Sequence, residues 1–146
     1  MNSHRRPVGR ARILAATGAA VMLVGAVLRW WMVGGDNGLP EISGNAFDGM
    51  GIVVFLVALG TIAIVTLPYA TDRPVSADQW LAYAILAAVG WLAFVIRVVD
   101  LATIGALSLP EPTAIFTNGP GLWVTGVGLA MLGRAAYDIN RAPGVR

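Results

Sequence analysis

Four long apolar segments constrain the fold of this chain more than any other feature. Each is about 20 residues or longer and holds at most two charged residues, so each could cross a hydrocarbon core of roughly 30 Å as a helix. Charged residues make up 12% of the sequence, against about 25% in soluble domains. The sequence therefore predicts an all-α membrane protein, a bundle of four transmembrane helices with spans at about 11–33, 49–68, 79–105 and 119–137.

Short polar tails flank the predicted membrane domain. Residues 1–10 form a basic tail, residues 11–138 the four-helix domain and residues 139–146 a second short tail. A basic stretch followed by an apolar run also resembles a cleaved signal peptide. Here the run ends in Arg29-Trp30-Trp31, a poor site for cleavage after small residues, so we expect the first segment to stay as a membrane span.

The arginines predict the orientation in the membrane. They lie in the N-terminal tail, in the second loop and near the C-terminus (Arg5, Arg6, Arg10, Arg12, Arg73, Arg134, Arg141 and Arg146). The first and third loops, residues 34–47 and 106–118, contain no basic residue and carry Asp36, Glu41 and Glu111. Because cytoplasmic loops are rich in Arg and Lys, both termini are predicted in the cytoplasm. The aromatic residues fit an outer interfacial belt (Trp30, Trp31, Phe47, Phe116, Trp123) and an inner one (Tyr69, Trp80, Tyr83, Tyr137).

The two outer loops share a sequence pattern. Leu39-Pro40-Glu41 recurs as Leu109-Pro110-Glu111, and at the same offset of 70 residues Asp48-Gly49-Met50-Gly51 corresponds to Asn118-Gly119-Pro120-Gly121. The pattern predicts two repeated helical hairpins, related by a pseudo-two-fold axis along the membrane normal. Convergence is the alternative, since Pro and Gly are common where helices end. Asp48 and Asn118 are predicted to cap the second and fourth helices.

Small residues four positions apart share one face of a helix and allow helix backbones to approach closely in lipid. Three such pairs are predicted contact faces: Ala15 with Ala19, Ala84 with Ala88, and Gly126 with Ala130.

Charged residues in and beside the spans form a candidate outer polar cluster: Arg29, Asp48, Arg97 and Asp100. A charge at the centre of a span costs about 2.5–3.5 kcal/mol, but Arg29 and Arg97 lie late in their segments, near the outer surface. Arg97 and Asp100 are three residues apart and can pair along a helix. Three interpretations stay open: ion pairs that fix the outer hairpins, a site for an anionic headgroup or peptide, and a proton or ion path.

Residues needed for several kinds of chemistry are missing or misplaced. There is no Cys, and the one His, His4, lies in the N-terminal tail, across the membrane from Ser43 and Ser108. We therefore expect no enzyme activity, cofactor or metal. The net charge of +2 lies mostly in the tails, which favours anionic headgroups over nucleic acid as a partner.

The predicted function is a non-catalytic accessory or assembly component of a cell-envelope membrane complex. Its predicted partners are the lipid bilayer and either other membrane-protein subunits or anionic lipid. The alternative is a small transporter or an anionic-lipid-binding protein that uses the outer arginines.

Three short segments carry a family resemblance: Arg29-Trp30-Trp31, Ala46-Phe47-Asp48-Gly49 and Gly119-Pro120-Gly121-Leu122-Trp123. They resemble segments of small four-transmembrane-helix proteins of high-GC Gram-positive bacteria. In those proteins the first helix ends in a Trp-containing turn, and short segments with Phe or with Pro-Gly open the second and fourth helices. The resemblance covers nearly the whole chain. It implies a multi-pass protein of the bacterial plasma membrane and no particular activity.

Overall fold

The computed structural model describes residues 9–35, 40–70, 80–107 and 112–141. In chain order its elements are α1 (Arg10–Val27), β1 (Trp31–Val33), β2 (Ile42–Gly44), a 3-10 turn (Ala46–Asp48), α2 (Gly51–Ala70), α3 (Trp80–Thr103), α4 (Pro112–Asn118) and α5 (Pro120–Arg141). Several predicted features lie outside the described residues: Arg5, Arg6, Asp36, Leu39, Arg73, the second Leu-Pro-Glu segment at 109–111, and Arg146.

The described chain is mostly helical and has the character of an integral membrane protein. α1, α2 and α3 are each long and apolar enough to cross a membrane. Their outward faces are apolar too, since Val24, Leu56 and Leu92 are all more than half exposed. A helix that is apolar on every side suits lipid rather than water. α5 does not belong to this group, because it is less apolar along its length and also contains Arg134 and Asp138. A fourth span stays a prediction.

The first helix is shorter than predicted, and a β-hairpin follows it. α1 ends at Val27 instead of residue 33, and Leu28 is already extended (φ −68°, ψ 158°). The Trp-Met-Val sequence that follows favours strand. β1 and β2 pair antiparallel, with Trp31 opposite Gly44 and Val33 opposite Ile42. The end of the bundle that contains this hairpin, the 3-10 turn and α4 is called the cap end. The opposite end, with Arg10 and Arg141, is called the tail end.

The four long helices pack in a ring in the order α1, α2, α3, α5, so that α1 and α3 lie on a diagonal. Two repeated hairpins would give this order, but so would any up-and-down four-helix bundle. The contact between α1 and α5 is much more extensive than the contact between α2 and α3, which a two-fold axis would make equal. The internal duplication therefore stays a prediction.

Glycines explain the close contact of α1 with α5. A Cβ on Gly18 would lie 2.8 Å from the carbonyl oxygen of Gly128, and a Cβ on Gly128 would lie 2.6 Å from Cγ of Met22. Nearer the cap end, a Cβ on Gly121 would lie 2.7 Å from the carbonyl oxygen of Gly25. The two backbones touch directly, and these positions leave no room for a side chain.

The predicted small-residue faces are only partly right. Ala15 and Ala19 are fully buried in the bundle. Ala88 and Ala130 are exposed, so the faces predicted from them on α3 and α5 do not form the close contacts. Composition could not separate these positions, because Ala and Gly occur on all sides of these helices.

Two aromatic residues predicted in the interfacial belts lie inside the bundle. Trp30 is fully buried, donates from Nε1 to the Gly25 carbonyl oxygen at 2.8 Å, and meets the ring of Phe94 edge-on with 6.0 Å between centroids. Tyr83, near the tail end, is fully buried as well. The belt prediction is wrong for both. Trp30 turns inward because the chain has left the helix, and it closes the cap end between α1, α3 and α5.

Candidate functional site

Arg29 lies just beyond α1 and is held both through its side chain and through its backbone carbonyl. Its Nη1 donates to Oε1 of Glu41 at 2.9 Å, and its side chain is 39% exposed. Such surface ion pairs contribute at most about 1 kcal/mol. Its backbone carbonyl accepts the N–H of Gly121 at 2.8 Å and so caps the start of α5. The predicted cap of that helix, Asn118, is instead the last residue of α4.

Asp48 stabilises the 3-10 turn instead of capping α2. Its Oδ2 accepts the backbone N–H of Asn45 at 2.7 Å, while Oδ1 of Asn45 accepts the N–H of Phe47 at 3.0 Å. This reciprocal arrangement is a capping box around the three-residue turn. The predicted role of Asp48 as the cap of α2 is wrong, because its carboxylate faces back along the chain and lies over Gly44.

Arg97 and Asp100 pair along α3, as their spacing suggested. Nη1 of Arg97 lies 2.5 Å from Oδ2 of Asp100. The two partners differ in environment, because the Arg97 side chain is 7% exposed and that of Asp100 is 51% exposed. The guanidinium lies against the start of α2, where a Cβ on Gly49 would be 3.0 Å from Nη1 and 3.1 Å from Cζ. A buried cation therefore joins α3 to the segment that precedes α2.

The four predicted residues share the cap end but do not form one cluster. The ion pairs among the described residues are Arg29–Glu41, Arg97–Asp100 and Arg134–Asp138, so neither cap-end arginine pairs with Asp48. Arg29 follows α1 and Arg97 lies within α3, and these two helices lie on a diagonal of the bundle.

Two buried nitrogen atoms that lie against residues 44–49 have no hydrogen-bond partner in the described part of the chain. They are Nε of Arg97 and Nε1 of Trp31. A Cβ on Gly44 would collide with both the Trp31 indole and the Asp48 carboxylate, so both groups lie over that glycine. A buried donor without an acceptor costs about 1–3 kcal/mol. Trp31, Gly44 and Gly49 are neighbours of the polar residues that were not predicted from the sequence. The available signal was a glycine on each side of residues 45–48.

A separate cleft of about 490 Å³ lies between the hairpin and the turn that follows α3. It is lined by Met32, Val33, Gly34, Gly35, Glu41, Gly105, Ala106 and Asn118. Glu41 is the one ionisable side chain among these residues, and it is already paired with Arg29. These described lining residues therefore offer no cation to an anionic ligand.

Comparisons with known protein families, with curated proteins and with solved structures find no match to this chain. The resemblance to small membrane proteins of high-GC Gram-positive bacteria stays a prediction. Within the described ranges, no group of three His, Asp or Glu side chains is arranged to hold a metal ion.

Proposed function

We propose that this protein is a non-catalytic accessory or assembly component of a membrane complex. It lies in the bacterial plasma membrane with four spans and both termini in the cytoplasm. One observation carries the proposal: the hairpin at the cap end holds a pair of exposed apolar side chains in a fixed position beyond the helices.

The distribution of charge supports the orientation. Among the described residues, the tail end has four arginines and one carboxylate (Arg10, Arg12, Arg134, Arg141 and Asp138). At the cap end, Arg29 and Arg97 are each paired with a carboxylate. An excess of Arg and Lys is typical of the cytoplasmic side. We therefore assign the tail end to the cytoplasm and the cap end to the outer surface.

The packing of α5 supports a fourth span. The helix has 22 residues, which corresponds to a length of roughly 33 Å. It runs antiparallel along α1, since Gly121 contacts Gly25 and Gly128 contacts Gly18. Arg134 lies seven residues before the end of α5, or roughly 10 Å, a depth from which an Arg side chain reaches the headgroups.

The hairpin supports a protein partner. Val33 and Ile42 are direct partners across the two strands and therefore project from the same face, with exposures of 48% and 59%. A two-stranded hairpin alone is marginally stable in water. Here the N–H of Trp30 donates to the Gly44 carbonyl at 2.8 Å. The ion pair of Arg29 with Glu41 is a second contact between the end of α1 and the hairpin. A fixed apolar surface beyond the helix ends is suited to contact with another protein.

Site-specific cross-linking tests this proposal. A photoreactive amino acid replaces Ile42 in the tagged protein, which is expressed in its native membrane, cross-linked and solubilised in mild detergent. We expect one discrete adduct with another membrane protein, identified by mass spectrometry. The double variant Val33→Ser with Ile42→Ser should lose co-purification of that protein and keep its own level in the membrane, because both side chains are exposed.

Val24 provides the matched control. It is an apolar residue that is 57% exposed on the side of α1, where we expect lipid. A photoreactive residue at this position should give mainly lipid adducts. Lipid or solvent adducts alone at Ile42, or unchanged co-purification with the double variant, would show that the hairpin is not a partner surface.

A further inference from the structure

One side of α5 is exposed from the cap end to the tail end. Its residues recur every three or four positions and therefore share one face of the helix. They are Trp123, Val127, Ala130, Arg134, Tyr137 and Arg141, and all of them are exposed. The buried residues of the last turns (Ala135, Ala136 and Ile139) lie on the opposite side, against the bundle. With α5 in the membrane, the exposed face of α5 is in contact with lipid.

The exposed face of α5 changes from apolar to cationic towards the tail end. Its upper part is apolar, since Val127 is 55% exposed. Its lower part carries two guanidiniums beside one aromatic ring, because Cζ of Arg134 lies 5.6 Å and Cζ of Arg141 lies 4.4 Å from the centroid of Tyr137. Seven residues, or roughly 10 Å along the helix, separate Val127 from Arg134. An anionic phospholipid has the same order, with apolar chains followed by a phosphate.

The two arginines keep donors for a further anion. Arg134 donates from Nε to Asp138 at 3.1 Å, and its two Nη atoms form no hydrogen bond with the described part of the chain. Arg141 has no carboxylate partner within the described ranges. The Tyr137 side chain is 45% exposed, so its hydroxyl can reach the same surface. One carboxylate thus faces two guanidiniums, which leaves a net positive charge.

The membrane offers a phosphate at this depth. A charged side chain on the lipid-facing side of a span costs free energy unless it reaches the headgroup region. The Arg134 side chain is 66% exposed, and its headgroup neighbours on the cytoplasmic side include anionic phospholipids. The planar guanidinium group of arginine binds phosphate oxygens through two parallel N–H donors.

We propose that the tail end of the exposed face of α5 binds one anionic phospholipid of the cytoplasmic leaflet. Arg134 and Arg141 bind its phosphate, and one acyl chain lies along Val127. This site lies at the opposite end of the bundle from Arg29 and Arg97. The inference rests on the proposed fourth span and orientation, and it does not depend on a protein partner at the hairpin.

Lipid titration of the full-length protein in an uncharged detergent tests the site. Phosphatidylglycerol and phosphatidylcholine with the same chains are added at equal mole ratios, and native mass spectrometry counts the lipids that stay bound. We expect one phosphatidylglycerol molecule to be retained at ratios at which phosphatidylcholine is not. Phosphatidylglycerol should also raise Tm by on the order of 3 °C, because a ligand that binds the folded state stabilises it. Inorganic phosphate at matched ionic strength should not, because it has no acyl chain.

Four variants locate the effect. Arg141→Gln should weaken phosphatidylglycerol binding roughly fivefold, and Arg134→Gln with Arg141→Gln on the order of 30-fold, because each arginine near an anionic lipid contributes to binding. Asp138→Asn should strengthen binding, because it removes the carboxylate that competes with the phosphate for Arg134. Arg10→Gln is the matched control. It removes an exposed arginine of the same end, on α1, and should bind phosphatidylglycerol as the wild type does.

Three outcomes would overturn the proposal. One is equal retention of the two lipids by the wild type. Another is a loss of binding with Arg10→Gln as large as with Arg141→Gln, which would indicate the general charge of the tail end. The third is an equal rise of Tm in inorganic phosphate, which would indicate a free anion. If the double variant does not fold, the comparison of Arg141→Gln with Arg10→Gln decides alone.

Failure of this site and failure of the proposed function give different results. The lipid titration uses the purified protein, so a negative result leaves the cross-linking at Ile42 unaffected. An α5 that does not cross the membrane is detected separately, by labelling of single cysteines in intact cells.

Discussion

Trp30 closes the cap end because the first helix stops before it. The last carbonyls of a helix have no partner within that helix. At the end of α1 the N–H of Leu28 donates to the carbonyl of Val24, and the next carbonyl, that of Gly25, is left to the indole Nε1–H of Trp30 at 2.8 Å. Gly121 has no side chain to occupy the space that the indole ring fills. The Trp30 side chain thus caps a carbonyl at the end of α1 and also fills the core at the cap end.

Replacing the indole tests this role. Trp30→Phe keeps an aromatic ring and leaves the buried Gly25 carbonyl without its donor, so we expect a loss of about 1–3 kcal/mol in the free energy of unfolding. Thermal unfolding in detergent should show a lower Tm. Trp123→Phe is the matched control, because Trp123 is 44% exposed and stacks on Phe116 at 4.3 Å. An equal loss of Tm in both variants would contradict the special role of Trp30.

Close backbone contact is the main feature of the pairing of α1 and α5. Between helices in lipid there is little hydrophobic driving force, so their association depends on packing at short distance. The buried residues of α1 recur every three or four positions, and most are Gly or Ala (Ala15, Gly18, Ala19, Met22, Gly25 and Ala26). Opposite them on α5 lie Gly121 and Gly128. This pairing brings the first and last long helices together and holds the bundle closed.

Alanine substitutions at two glycines of α5 distinguish the effect of the close contact with α1 from the effect of helix propensity. A Cβ on Gly128 would lie 2.6 Å from Met22 Cγ and 2.7 Å from the Gly18 carbonyl oxygen, whereas a Cβ on Gly126 would meet Phe94 at an ordinary 3.5 Å. Alanine is preferred over glycine inside a helix by about 1 kcal/mol. We therefore expect Gly126→Ala to keep or raise Tm in detergent and Gly128→Ala to lower it. A fall of the same size in both would mean that the contact is not decisive.

At the scale of the whole molecule, the sequence predicts helices better than the faces by which they pack. Length and apolar composition were sufficient to locate the long helices to within a few residues at most ends. They could not show which side of each helix is buried, because side chains such as Leu92 and Val99 are apolar and exposed. The first strand was missed because Trp31–Val33 is apolar and follows the apolar segment of α1 with only one charged residue, Arg29, between them.

In the candidate site, too, contacts between residues close in sequence were predictable and contacts between distant residues were not. The pair Arg97–Asp100 was predictable, because a spacing of three residues brings side chains together on any helix. The contact of Arg97 with Gly49 depends on how α3 packs against α2, and no local pattern contains that information. For the same reason the separation of Arg29 from Arg97 became visible only with the order of the helices in the bundle.

The number of spans and their direction can be tested in intact cells. The chain has no cysteine, so single cysteines can be placed at Ser43 in β2, Thr113 in α4 and Asn140 near the end of α5, all of which are exposed. With four spans and cytoplasmic termini, a membrane-impermeant maleimide should label Cys at Ser43 and Thr113 from outside. Cys at Asn140 should react only after permeabilisation, which also shows that the thiol is accessible. If α5 does not cross the membrane, Asn140 and Thr113 lie on the same side and should be labelled together. Labelling of Asn140 alone in intact cells would mean that the arginine-rich tail end faces outward, and the proposed orientation would be wrong.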